Sequence, residues 1–132
     1  ADGGPWSIIC ALPALWVGLL YDEEALQRAE ALANRFAHED VVNARISAAK
    51  EGLKGNIGSH SMHEIASEMV AIAEIGLKNR ARLNHNGDDE TIFLKPLQAI
   101  IDSGATQSDK ARELFNNQWN HDIKHAFSHY KY

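Results

Sequence analysis

The chain has 132 residues and a formal net charge of −5, which fits one domain or a part of one. Its acidic balance argues against nucleic acid and anionic membrane surfaces as partners, because both bind clustered basic residues. The single cysteine, Cys10, excludes an intrachain disulfide and a zinc site built from several cysteines. Sparse cysteine is typical of a reducing compartment, and we therefore expect a cytoplasmic protein.

The first predicted element is an uncharged run from Ile8 to Tyr21. It is too short for a membrane span, which needs about 20 apolar residues. It also lacks the basic leader and the cleavage site of a secretory signal. We interpret the run as a helix buried on most sides, with no membrane role and with Cys10 as a small buried apolar residue.

Two predicted helices follow this run. Asp22 is placed to cap a helix that reaches about Phe36, with two glutamates in its first turn. The next helix covers about Glu39 to Glu51 and ends at Gly52. Three residues at helical spacing are predicted to line its buried side: Val42, Ile46 and Ala49.

The longest predicted helix comes after a glycine-containing connection at residues 53–58. Ser61 and Glu64 have the spacing of a capping box, which marks the start of a helix. The apolar residues that follow recur every three or four positions, as on the buried face of a helix. They are Ile65, Met69, Ile72, Ala73 and Leu77.

The C-terminal third begins with a polar loop at residues 84–89. A helix is predicted from Ile92 to Ile101, and Thr106 with Asp109 forms a second capping box. The last helix is predicted to bury Ala111, Leu114, Phe115 and Trp119. The whole chain, 1–132, therefore reads as one all-α unit of five to seven helices in an irregular bundle.

Two segments at the start of the chain resemble the C-terminal region of glutamate–cysteine ligase from plants and many proteobacteria. They are Ala1–Trp6 and Cys10–Asp22, and this similarity is nearly continuous. Weaker similarities follow at 64–66, 75–78, 93–97, 101–106 and 117–119. The resemblance, together with a first residue that is not Met, indicates the C-terminal helical part of a larger α+β ligase with a glutamine-synthetase-like fold.

The resemblance implies an ATP-dependent reaction that joins glutamate to cysteine, the first step of glutathione biosynthesis, with Mg²⁺ neutralising the phosphates. In that family the metal-binding carboxylates and a phosphate-contacting arginine lie on an antiparallel sheet that precedes the stretch seen here. We therefore expect no catalytic residue and no cofactor in this chain. We expect it to be inactive alone and to support the catalytic portion upstream, which is its expected partner.

The resemblance also implies two candidate sites near the start of the chain. Residues 1–6 would form a loop of the substrate pocket, with Gly3, Gly4 and Trp6 contacting the substrate, and the helical part would cover 7–132. Packing of Trp6 in the core is an equally weighted alternative. A cysteine at the position of Cys10 is linked to redox control in plant relatives, although we favour an inert buried thiol here.

Three histidines near the C-terminus, His121, His125 and His129, have the spacing of one helix face. Adjacent pairs could chelate zinc or nickel, although we favour a solvated helix face. A different alternative function is a freestanding helical interaction module whose first helix docks a partner. In either case we expect the chain alone to be marginally stable or to self-associate through its apolar first helix.

Overall fold

Seven α-helices dominate the computed structural model, which describes residues 6–130. Two short 3₁₀ turns, Gly52–Lys54 and Glu90–Leu94, lie between them. Strands β1 (Asn56–Ile57) and β2 (His60–Ser61) pair antiparallel as a minimal hairpin. The helices are α1 (Trp6–Leu20), α2 (Glu23–Ala33), α3 (His38–Glu51), α4 (Met62–Arg80), α5 (Lys95–Ser103), α6 (Gln107–Asn117) and α7 (Lys124–His129). The all-α prediction is therefore confirmed.

The three helix starts predicted from capping residues are confirmed, whereas the helix predicted from Ile92 begins only at Lys95, after the 3₁₀ turn. Asp22 Oδ1 accepts a hydrogen bond from the Ala25 backbone N–H at 3.0 Å and caps α2. Both predicted capping boxes are present, one at the start of α4 and one at the start of α6. The predicted end of α2 was too late, since the helix stops at Ala33, although Phe36 still packs against the core.

Helix α4 lies at the centre of the fold and packs against α1, α2, α5 and the second 3₁₀ turn. Its predicted apolar face is confirmed: four of the five residues are buried, and Met69 is partly buried against the same core. Leu77 is the largest fully buried side chain among the described residues. The core is thus built around one long helix.

Helices α1 and α4 cross with their backbones in direct contact. A Cβ atom added at Gly76 would overlap the carbonyl oxygen of Gly18, and it would lie 2.9 Å from the Ala25 Cβ. A Cβ atom added at Gly18 would overlap the carbonyl oxygen of Ala73. Two glycines therefore set how closely these helices approach.

The predicted buried side of α3 was wrong. Val42, Ile46 and Ala49 are exposed, and Ala44 is the buried residue of this helix. The inward side instead binds the connection that follows the helix, because the Ser47 hydroxyl accepts a hydrogen bond from the Asn56 backbone N–H at 2.9 Å. Polar anchoring of this connection orients the helix, and its apolar side is left facing solvent.

The C-terminal helices form a small cluster of their own. Trp119 is buried beneath α7, with its ring centre 5.5 Å from that of His129 and 6.3 Å from that of Tyr130. Ala111, Leu114 and Phe115 were predicted to be buried, but they are only half-buried. The prediction overestimated this core because α6 and α7 make few contacts with the remaining helices.

Among residues 6–130, no single helix is long and apolar enough to cross a membrane. Helices α1 and α2 together meet the same test of length and composition, but they are bent by 96° relative to each other.

Candidate functional site

Helix α1 places both of its tryptophans on its solvent-exposed face. Its inward face consists of three small residues, Ala11, Ala14 and Gly18, together with Leu19, and these four residues are buried against the rest of the fold. Its outward face carries the larger side chains at helical spacing: Trp6, Cys10, Pro13, Trp16 and Leu20, all of them exposed. We call these five residues the outer ridge. The expectation of a helix buried on most sides is therefore wrong.

The outer ridge is a broad apolar surface on a single helix. Trp6 is 73% exposed, Trp16 50% and Leu20 47%, and the adjacent Leu12 and Tyr21 are also exposed. Helix α1 has no charged residue at all. Single exposed apolar residues are common on proteins, whereas a contiguous patch marks a site of interaction. The geometry therefore suits contact with another protein surface better than chemistry on a small molecule.

Cys10 lies on the outer ridge and is exposed. The prediction of a buried thiol was wrong, because other residues of α1 occupy the inward face. Cys10 stands four residues, about one helical turn, after Trp6. It is the only cysteine in the sequence, so the chain offers it no intramolecular disulfide partner.

Trp6 is the first residue of α1 and extends outward. Its exposure contradicts the alternative in which it anchors the core. Trp6 also belongs to the helix, which differs from the prediction that the helical part begins at residue 7. Gly3 and Gly4, the other predicted substrate contacts, lie outside the described residues.

A polar cluster holds the end of α1 against the end of α4. The guanidinium of Arg80 lies 5.7 Å from the ring centre of Tyr21, and its Nε donates to Glu90 at 3.0 Å. Asn79 Nδ2 donates to Asp22 Oδ1 at 3.1 Å. The turn between α1 and α2 is therefore fixed by residues from two other elements, which orients the outer ridge. Sequence spacing gave no signal for this cluster, since its members are up to 69 positions apart.

The shifted pKa values near this cluster favour charged forms. The pKa of Asp89 is lowered by hydrogen bonds from the hydroxyl and then the backbone N–H of Thr91. The pKa of Lys78 is raised by its hydrogen bond to Glu74. Both shifts move titration away from neutral pH, so neither group is suited to exchange a proton there. Asp89 caps the second 3₁₀ turn and Lys78 lies in the last turn of α4, and these positions explain the two charges without catalysis.

Two features of the described residues are relevant to the binding of a nucleotide or a metal ion. A groove of about 260 Å³ between α2 and α4 contains Arg28 and Arg35. Each guanidinium is already paired with a carboxylate, from Glu24 at 2.7 Å and from Glu68 respectively. Residues 6–130 also bring together no group of three His, Cys, Asp or Glu side chains that could hold a metal ion.

The histidine stripe predicted from spacing does not exist as one face. His121 precedes α7 and has a left-handed φ of 63°, which breaks the helical register. Its ring packs against Phe115, whereas His129 packs against Trp119. His125 and His129 alone share the short helix α7. The three histidines therefore do not share one helix face on which they could bind a common metal ion.

Comparison with known proteins finds plant enzymes that are similar to this chain over its entire length. Glutamate–cysteine ligase A of Oryza sativa subsp. indica is 34% identical over all 132 residues, and the chain covers 26% of that protein. The chloroplastic glutamate–cysteine ligases of Medicago truncatula and Arabidopsis thaliana are 33% and 32% identical, with 25% and 24% of their lengths covered. The chain thus spans about a quarter of the length of the relatives it matches.

The names of these relatives place them in the chloroplast. The expectation of a cytoplasmic protein is therefore wrong. It was drawn from a single cysteine, and cysteine content reports on disulfide usage and not on the compartment to which a protein is delivered.

The family model of glutamate–cysteine ligase family 2 matches residues 1–129. This match extends over both the specific segment at the start of the chain and the weaker similarities that follow it. It includes α1 with its outer ridge, the central helix α4 and the C-terminal helices. The chain therefore belongs to the glutamate–cysteine ligase family.

Proposed function

We propose that this chain is the C-terminal helical portion of an ATP-dependent glutamate–cysteine ligase. The complete enzyme would join the γ-carboxylate of glutamate to the amine of cysteine, as the first step of glutathione biosynthesis. Family membership and the names of the relatives support this activity. The relatives are about four times as long as the chain, which supports a separate catalytic portion as its partner.

The outer ridge of α1 is the observation that carries the proposed role. An uncharged helix with two tryptophans facing solvent is expected to gain about 1.5–3 kcal/mol for each large side chain that becomes fully buried. In this proposal the catalytic portion packs over the ridge and buries it. The polar cluster around Arg80 would hold the ridge in place before the two portions meet.

ATP and Mg²⁺ belong to the catalytic portion in this proposal. The described residues of this chain supply neither free guanidinium groups in the α2–α4 groove nor clustered metal ligands. The contribution of the chain to substrate binding would be the segment at residues 1–6. Gly3 and Gly4 would let the backbone approach the amino acid substrate, and Trp6 would pack against it.

An ATP-turnover assay with glutamate, cysteine and Mg²⁺ tests the proposal. The assay compares this chain, the catalytic portion of a family member, and the two mixed. We expect no turnover with the chain alone and recovery of activity on mixing. If the mixture remains inactive and sedimentation shows that this chain is a folded monomer, the result would instead support the freestanding interaction module.

A pair of variants links the recovered activity to the outer ridge. Trp16→Glu combined with Leu20→Glu places two charges in the ridge and is expected to weaken complementation at least tenfold. Phe127→Glu is the matched control, because Phe127 is also an exposed apolar residue, but it lies on α7. Equal loss in both variants would contradict the assignment of the ridge as the contact surface.

A further inference from the structure

The polar loop at residues 84–89 contains a pair of residues with a chemistry of its own. Asn86 is followed by Gly87, and no other asparagine of the sequence precedes a glycine. Asparagine is chemically labile because the backbone nitrogen of the next residue can attack its side-chain amide carbon and close a five-membered succinimide ring. Glycine hinders this attack least, since no Cβ atom crowds its nitrogen. The sequence therefore offers one favourable position for the reaction.

Both members of the pair are open to solvent. Asn86 is exposed, and its side chain makes no hydrogen bond to the other residues that the structure describes. A Cβ atom added at Gly87 would meet nothing within 4 Å apart from its chain neighbours. Water can therefore reach the reacting atoms, and the amide side chain is free to turn toward the backbone.

One hydrogen bond of the loop opposes the attack. The Gly87 N–H donates to the Asn84 carbonyl oxygen at 3.1 Å, and this nitrogen must give up its proton before it can react. The Asn84 side chain stabilises the same turn, because its Oδ1 accepts from the backbone N–H groups of Asn86 at 2.8 Å and Asp88 at 3.0 Å. The reaction therefore requires the turn to open, and Asn84 controls how often it does so.

We propose that Asn86 is a site of spontaneous deamidation and that the turn held by Asn84 limits its rate. In the first step the Gly87 nitrogen bonds to Asn86 Cγ, its proton passes through solvent to the side-chain amide, and that amide leaves as ammonia. In the second step water adds to one of the two ring carbonyls and the ring C–N bond at that carbonyl breaks, which leaves aspartate or isoaspartate. The net reaction consumes one water and releases one ammonia, and it does not depend on the proposed ligase activity.

Isoaspartate would change the path of the backbone as well as the charge of the loop. The chain then runs through the former side chain and gains a methylene group, which disturbs the 2.9 Å hydrogen bond from the Asn84 N–H to the Asp88 carbonyl oxygen. The loop leads directly into Glu90, whose carboxylate binds Arg80 at the end of the outer ridge. The Asn84 amide proton of the isolated isoaspartyl form is therefore expected to exchange with solvent about tenfold faster than in the parent.

Ageing of the full chain in mildly alkaline buffer tests the site, with peptide mass spectrometry as the readout. We expect Asn86 to become a mixture of aspartate and isoaspartate sooner than any other asparagine reacts, with one ¹⁸O atom incorporated from ¹⁸O-labelled water. Asn86→Gln is the matched control and should stay unmodified over the same period, because its longer side chain would have to close a six-membered ring. Earlier reaction at another asparagine, or aspartate formed without isoaspartate, would overturn the proposal.

A second variant tests the control of the rate by the turn. Asn84→Ala removes the side chain that holds the turn and leaves the reacting pair intact, so deamidation at Asn86 is expected to be about fivefold faster. His85→Ala changes an exposed neighbour in the same loop and should leave the rate unchanged. Equal rates in Asn84→Ala and the parent would contradict the limiting role of the turn. An unchanged exchange rate of the Asn84 amide in the isoaspartyl form would contradict the expected disturbance of the loop.

Discussion

The α1–α4 crossing and the C-terminal α6–α7 cluster are stabilised in opposite ways. At the crossing, glycine and alanine bring two backbones into contact, and the two tryptophans of α1 face solvent. In the C-terminal cluster, one buried tryptophan is covered by the rings of His129 and Tyr130. The first region depends on the absence of side-chain volume, whereas the second depends on its presence. Enlarging and truncating substitutions should therefore have different effects in the two regions.

The largest effect is expected from Gly76→Ala at the crossing. The added methyl group overlaps the Gly18 carbonyl oxygen, and that backbone can move only if α1 moves away from α4. We expect a loss of about 3 kcal/mol in the free energy of unfolding, at the upper end for overpacking. Urea denaturation monitored by circular dichroism measures it. Ala71→Val is the control, because it enlarges an exposed position of the same helix. Equal stability of Gly76→Ala and the parent would show that the helices do not meet as closely as described.

A smaller and more local effect is expected from Trp119→Ala. Removing the indole leaves α7 without the ring that it covers, but the main core does not include Trp119. We expect a loss of about 2 kcal/mol, less than for a tryptophan in a central core, confined to α6 and α7. Amide hydrogen exchange should accelerate in α7 and stay unchanged in α4. Phe127→Ala, at an exposed site of α7, should leave both rates unchanged. Acceleration throughout α4 would mean that the two regions unfold together.

The smallest effect is a pH dependence at the start of α6. The pKa of Asp109 is lowered by hydrogen bonds from the hydroxyl and then the backbone N–H of Thr106. Because the folded pKa is depressed, this stabilisation is present above the ordinary value of 3.8 and is lost as the pH falls through the lowered folded value. Urea midpoints measured between pH 7 and pH 2 should therefore fall less steeply in Asp109→Asn than in the parent. Asp102→Asn, at the end of α5, is the control. Parallel pH curves for the parent and Asp109→Asn would contradict this account.

Much of the secondary structure could be predicted because its determinants are close in sequence. Capping boxes join residues three positions apart, so Ser61 with Glu64 and Thr106 with Asp109 marked the starts of α4 and α6. The apolar face of α4 was also predicted, since its polar and apolar residues alternate at helical spacing. The buried faces of α1 and α3 could not be read in this way. Helix α1 is apolar on all sides, so spacing does not distinguish one face. Helix α3 is held in place by a polar residue, Ser47, and not by its apolar side.

The features of the candidate site can be separated in the same way, into those visible in the sequence and those that depend on tertiary contacts. The sequence alone indicated the family resemblance at residues 1–22, an apolar first helix without charge and the need for something to cover it. Only the tertiary structure decided that the small residues of α1 point inward, that Cys10 and Trp6 point outward, and that Arg80 and Glu90 steady the end of the ridge. Capping and helical spacing act within one or two turns of chain. Which face of a helix is buried depends on the distant backbone that lies against it. At α1 this is the backbone of α4 at Gly76.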